Sequence, residues 1–174
     1  GLLIIAKNEA SYFKLNQAMA KRQIKRSYLA LVKGIVHKGG TIDAAIARHT
    51  KIRQKYMVHP TGRSAITHYQ VAERFPHHTL LNVTLETGRT HQIRVHMHHI
   101  QHPVVGDTIY HRGKHIKQST LSNETMACLY AFKRQALHAR SLSFAHPELK
   151  KDIEVTCELP EDFEAILMQL RTSA

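Results

Sequence analysis

Leu85-Glu86-Thr87-Gly88-Arg89-Thr90-His91-Gln92-Ile93-Arg94-Val95-His96 is the stretch on which the reading of this chain turns. Leu81, Val83 and Leu85 alternate into it, the period of a half-buried β-strand. Gly88 marks a turn and Thr90 is a good helix N-cap. Ile93, Met97 and Ile100 then recur at helical spacing until Pro103 stops them. A strand, a glycine turn and a helix start bearing Arg89, His91 and Arg94 bring positive charge and unpaired backbone N–H groups to one point. Such a point suits an anion or a carboxylate.

Just upstream, Ala65, Thr67, Tyr69 and Val71 alternate as a second strand, and Pro76-His77-His78 turns it into the first, which predicts a β-hairpin. Ser27 to Lys33 alternates and ends at Gly34, and Gly39-Gly40 marks another turn. Leu2 to Ala6 is a continuous apolar run, the pattern of a central strand. Asn8 can cap a helix whose Tyr12, Leu15 and Met19 share a face up to about Arg22. Thr41 to Ala47 is ambiguous, and Arg48 to Tyr56 reads as a basic loop. His102-Pro103-Val104-Val105-Gly106-Asp107 reads as a tight loop, in which Asp107 is expected to shape a turn rather than do chemistry. His111 to Ser122 is polar and basic and expected to be mobile. Leu137 to Phe144 and Asp152 to Glu158 read as strands, and Glu161 to Arg171 as an amphipathic helix behind Pro160. Strands outnumber helices and hairpins are evident. The expected class is therefore α+β, a mostly antiparallel sheet with flanking helices, in one domain over residues 1–174.

Lys and Arg number 25 against 13 Asp and Glu, a net charge of +12. That surplus points to a polyanionic partner, most simply nucleic acid. An acidic membrane surface fits less well, since no basic amphipathic helix stands out. Cys128 and Cys157 are too few for a disulfide framework, so a cytoplasmic location is expected. No apolar run approaches a membrane span. His96, His98 and His99 fall on different helix faces without an HExxH pattern, so no metal site is expected.

Thr87 to Tyr110, TGRTHQIRVHMHHIQHPVVGDTIY, resembles the RluA-type pseudouridine synthases, most of all those acting on large-subunit ribosomal RNA. Gly1-Leu2-Leu3-Ile4-Ile5-Ala6-Lys7, Arg26-Ser27-Tyr28-Leu29-Ala30-Leu31-Val32, Gly62-Arg63-Ser64-Ala65-Ile66-Thr67 and Gln135-Ala136-Leu137-His138-Ala139 resemble further motifs of that family, in its order. The resemblance implies the pseudouridine synthase fold and a uridine isomerase working on ribosomal RNA, as a monomer, without cofactor or metal. It also implies a nucleophilic aspartate in a His-Arg-Leu-Asp motif just upstream of Gly1. Asp43, Asp107, Asp152 and Asp162 do not stand in that context. The chain is therefore expected to be a truncated catalytic domain, inactive alone, with a non-catalytic RNA-binding module of the same fold as the alternative.

By the same resemblance, Arg94 pairs with the missing aspartate, and within this chain its pocket is expected to lie open to anions. A guanidinium is always charged and can hold both carboxylate oxygens. Tyr28 is the implied wall for the freed uracil and a possible general base, and Ile93 the apolar floor. Arg89, His91 and Gln92, near the helix start, are candidates to bind phosphates or splay the strand. Arg48, Lys51, Arg53 and Lys55 are candidate backbone contacts, since phosphate neutralisation dominates RNA affinity.

Overall fold

Leu29 to Lys33 are buried one after another. Successive strand residues face opposite sides of a sheet, so this strand must be covered on both faces. A computed structural model, describing residues 1–110, 121–149 and 151–173, shows how. The described elements are α1 (Glu9–Ala20), β1 (Lys25–Lys33), β2 (Gly40–Asp43), β3 (Ile46–Arg48), β4 (Tyr56–Val58), β5 (Ile66–Arg74), β6 (His78–Leu85), α2 (Gln92–His99), α3 (Asn123–Ala131), β7 (Leu137–Ala145), β8 (Asp152–Thr156) and α4 (Glu161–Thr172). Six strands form one sheet in the order β2-β5-β6-β1-β7-β8, and β3 pairs with β4. Each of these ladders is antiparallel, which agrees with the expected class.

The core gathers on β1. Leu29, Ala30, Leu31 and Val32 cluster with Leu80, Leu81 and Val83 of β6, Ile93 and Met97 of α2, and Phe163, Ile166, Leu167 and Leu170 of α4. The α4 residues are spaced i, i+3, i+4, i+7, a single apolar stripe. Arg171 holds that helix to β5 through Glu73, at 2.8 and 2.7 Å.

The expected β5–β6 hairpin forms, and its pairing sets Thr67 opposite Leu85. Asn8 caps α1, accepting from the Ser11 amide at 2.8 Å. The ambiguous segment is divided between β2 and β3, and the basic loop becomes the tip of the β3–β4 hairpin. The apolar run at the N-terminus departs from expectation. Leu2 to Ala6 is not a strand, and Leu3 and Ile5 are 79% and 74% exposed. Both edges of β1 are taken, by β6 and β7, and β8 holds the outer edge of β7. The run meets the sheet where the Leu2 amide donates to the Ala139 carbonyl at 3.0 Å. Helix α3 was not anticipated; Ser122 caps it, accepting from the Thr125 amide at 3.1 Å. Positions 111–120 of the expected mobile stretch lie outside the described residues.

Candidate active site

The Gly88 turn ends differently from its expected form. Helix α2 begins at Gln92, and its N-cap is His91 in the left-handed region (φ 58°), with no side-chain cap. Thr90 is exposed. A buried lock takes the place of the cap. Gln92 Oε1 accepts from the Thr87 hydroxyl at 2.8 Å and from the Arg89 amide at 2.9 Å. Its Nε2 donates to the Ile66 carbonyl and to Thr67 Oγ1, both at 3.0 Å. Each donor and acceptor site of the amide is then filled, and Gln92 is 3% exposed. It braces the turn against β5, so its amide is already committed within the fold.

Thr67 carries the lock onward. Having accepted from Gln92, it lies 2.9 Å from His96 Nδ1, and His96 Nε2 lies 2.9 Å from the Ala44 carbonyl. A carbonyl only accepts, so Nε2 bears the proton and Nδ1 accepts from Thr67. Burial first of all lowers the His96 pKa, consistent with a neutral ring. Among the described residues, no three His, Cys, Asp or Glu side chains gather as a metal site.

Arg94 has a partner, contrary to the expectation of an unpaired guanidinium. Its Nε and Nη2 donate to Asp107 Oδ2 and Oδ1 at 2.6 and 2.9 Å, in a buried bidentate pair. Asp107 Oδ1 also accepts from the amides of Ile109 and Tyr110, at 3.0 and 3.1 Å. The expected turn is thus real, and it serves to aim a carboxylate. Burial pushes the Asp107 carboxyl up, but the Arg94 hydrogen bond, the Tyr110 amide, the Arg94 charge and the Ile109 amide outweigh it and hold the group below its ordinary value. With its amide oxygen turned inward, Gln135 accepts from Arg94 Nη1 at 3.2 Å.

Tyr110 packs under the same guanidinium, its ring 5.0 Å from Arg94 Cζ and 5.6 Å from Lys55 Nζ. Its hydroxyl accepts from the Tyr56 amide at 2.9 Å and lies 3.0 Å from His91 Nδ1. Burial, followed by the Arg94 charge, lowers the His91 pKa, which favours the neutral ring.

Beside this network lies an open cleft of about 430 Å³ lined by Arg26, Tyr28, Leu85, Gly88, the residues from Arg89 to Arg94, and Leu137. Tyr28, Ile93 and Arg94 therefore meet in one place, together with Arg89 and His91. The strand pairing aims Tyr28. Between Ser27 and Tyr28 the β1–β7 register skips Arg140, a bulge of the kind that re-aims side chains beside functional sites. Arg48, Lys51 and Arg53 do not line the cleft; they are exposed on the β3–β4 hairpin, whose Lys55 stands against Tyr110.

A family model described as RNA pseudouridylate synthase matches residues 1–99, more than half of the chain. The chain belongs to that family. Among curated pseudouridylate synthases it is 45% identical, over 98% of its length, to the ribosomal large subunit pseudouridine synthase D of Haemophilus influenzae, and likewise 45% identical to that of Pseudomonas aeruginosa. It covers 52% and 53% of those two proteins, so it spans about half the length of the curated relatives it matches. The solved structure of human RNA pseudouridylate synthase domain containing 1 superposes with a TM-score of 0.69 at 26% identity, over 89% of this chain and 62% of that one. Human RNA pseudouridylate synthase domain containing 4 gives 0.72 at 24% identity, over 94% and 69%, and shares the fold. No described helix is long and apolar enough to cross a membrane.

Two features of the site carry no signal in the sequence. Asp107 lies thirteen residues beyond Arg94, and no periodicity links them. Arg26 stands in the sequence only as part of a strand motif, although its position two residues before Tyr28 places it on the same strand face.

Proposed function

We propose that this pseudouridylate synthase domain is part of a monomeric enzyme that isomerises uridine to pseudouridine in large-subunit ribosomal RNA, and that it is inactive without a nucleophile supplied upstream. The observation that carries the proposal is the meeting of Tyr28, Ile93 and Arg94 on one cleft. The reaction breaks the C1′–N1 bond, joins C1′ to C5, releases the C5 proton and places a proton on N1, so the composition of the nucleotide is unchanged. The uridine must leave its stack to enter the cleft. Tyr28 then gives the freed base a flat face and a polar handle, and its hydroxyl is a candidate to take the C5 proton. Ile93 excludes water beneath the base.

The nucleophilic carboxylate in this reading is supplied upstream of Gly1. The Leu2 amide is bonded to Ala139, which is the register partner of Tyr28, so chain entering there passes beside the tyrosine strand. Two of the five N–H groups of Arg94 serve Asp107 and one on Nη1 serves Gln135; the remaining donors are the ones that would meet a second carboxylate. The basic hairpin tip and Arg89 supply phosphate contacts.

Release of tritium from ribosomal RNA labelled at uracil C5 tests the proposal. This chain is compared with one extended upstream to include His-Arg-Leu-Asp. Release by the extended chain alone is expected. Release by neither, with RNA bound by both, refutes it in favour of a non-catalytic RNA-binding module.

A further inference from the structure

Three cations line the cleft, and they differ in how they are held. Arg94 is paired with Asp107. Arg89 Nε donates to the Ser64 carbonyl at 3.0 Å. Arg26 has a fully buried Nε that meets no hydrogen-bond partner, and no carboxylate forms an ion pair with it among the described residues. Nearby Arg22, by contrast, is matched by Glu86 at 2.6 Å. A buried donor without an acceptor is unfavourable, the more so when it is charged.

The Arg26 guanidinium lies close against the Gly88 turn. A Cβ added at Gly88 would stand 2.8 Å from its Nη1 and 3.0 Å from its Nη2, so the bare backbone of the turn lets the planar group lie against it. The same side chain borders the cleft and two neighbouring depressions, one apolar along α1 and one polar along Thr84 to Glu86. A guanidinium presents its donors as a flat fork that fits an oxyanion on two points. Arg26 stands two residues from Tyr28 on one strand face, about 7 Å along the strand, the reach from a nucleobase on the tyrosine to its own sugar–phosphate.

We infer that Arg26 is an oxyanion seat of the cleft, occupied by the phosphodiester of the nucleotide whose base lies on Tyr28. The identity of that occupant rests on the RNA reading above. Gly88 belongs to the seat because it admits the guanidinium, and Arg89 lends a second charge at the cleft.

The test uses this chain with Arg26→Gln, Arg26→Lys and Gly88→Ala, each first checked for folding by thermal melting. Affinity for a short uridine-containing single-stranded RNA is measured over a range of KCl concentrations. Arg26→Gln is expected to bind about ten-fold more weakly near 0.1 M KCl, as one charge-assisted contact is lost. The slope of log affinity against log salt should shrink by about 0.7. Arg26→Lys should keep the slope while losing affinity, since it retains the charge and lacks the fork. Gly88→Ala should weaken binding with its melting temperature nearly unchanged, because its new contact is the movable end of a side chain. An unchanged slope in Arg26→Gln overturns the seat. In parallel, the Arg Nε–Hε resonances are followed while inorganic phosphate is added. If no RNA binds but the Arg26 resonance shifts to saturation, the RNA reading fails and the seat stands; if that resonance does not move, the seat fails.

Discussion

Replacing Asp107 by Asn should be among the most damaging isosteric changes available to this chain. The Asp107 side chain is completely buried and that of Arg94 is 8% exposed, so solvent cannot take over either charge. The carboxylate accepts two hydrogen bonds from Arg94 and two from backbone amides. Asn keeps the shape, removes the charge and turns an NH2 group towards donors. Breaking one side of a buried pair costs about 3–5 kcal/mol, because the other charge is left stranded. For a domain of this length that lowers the melting temperature by roughly 6–20 °C. With a urea m-value of roughly 2 kcal/mol/M, the midpoint falls by about 1.5–2.5 M. Replacing both partners, Arg94→Met with Asp107→Leu, should recover most of the loss, since no charge then remains buried. The pH dependence follows from the depressed Asp107 pKa. The contribution is fully present above the unfolded value near 3.9 and is lost as pH falls through the folded value, so the gap between wild type and Asp107→Asn should close in acid. A loss under about 1 kcal/mol, or a double variant no better than the single one, would refute the view of this pair as the clamp that aims Arg94.

His78 gives a second pH signature. Burial, then the Lys33 and His77 charges, push its pKa down to about 4, so the unfolded chain binds the extra proton between there and about 6.5. Stability from the neutral ring is therefore full above about 6.5 and declines by about 3 kcal/mol as pH falls towards 4; urea titrations of His78→Phe should lack that slope. Gly106 has φ +73°, and a Cβ there would stand 1.9 Å from the Arg134 carbonyl oxygen. Gly106→Ala should cost at least about 2 kcal/mol in chemical denaturation. At the exposed hairpin tip, Lys51→Gln with Arg53→Gln should leave stability within about 0.5 kcal/mol and reduce the salt slope of RNA binding by up to about 1.4.

Where the signal was local, the sequence was a sound guide. The β5–β6 hairpin follows from alternation and one turn, α1 from its Asn8 cap, and α4 from an apolar stripe behind Pro160. The three residues implied for the reaction, Tyr28, Ile93 and Arg94, come together because β1 and the start of α2 border the same cleft. Helix α3 was missed because its segment, Asn123–Ala131, mixes apolar and polar residues without a clear stripe; Thr125 is its one buried residue among those described. Leu2 to Ala6 was misjudged because an apolar run reports what could be buried, whereas places beside the central strand are limited and go to the segments that pair best.

With the side chains named for the chemistry implied by the family resemblance, local pattern and charge determined on their own most of the element types, their order along the chain and the expectation of a polyanionic partner. These depend on the period of hydrophobicity and on composition, which are properties of neighbouring residues. Tertiary structure decided who partners whom. It gave Asp107 to Arg94 and the Thr67–His96 chain to Gln92, and it left the buried Nε of Arg26 without an acceptor. Such pairings join segments far apart in the chain, and their strength comes from burial, which exists only once the sheet has closed over them.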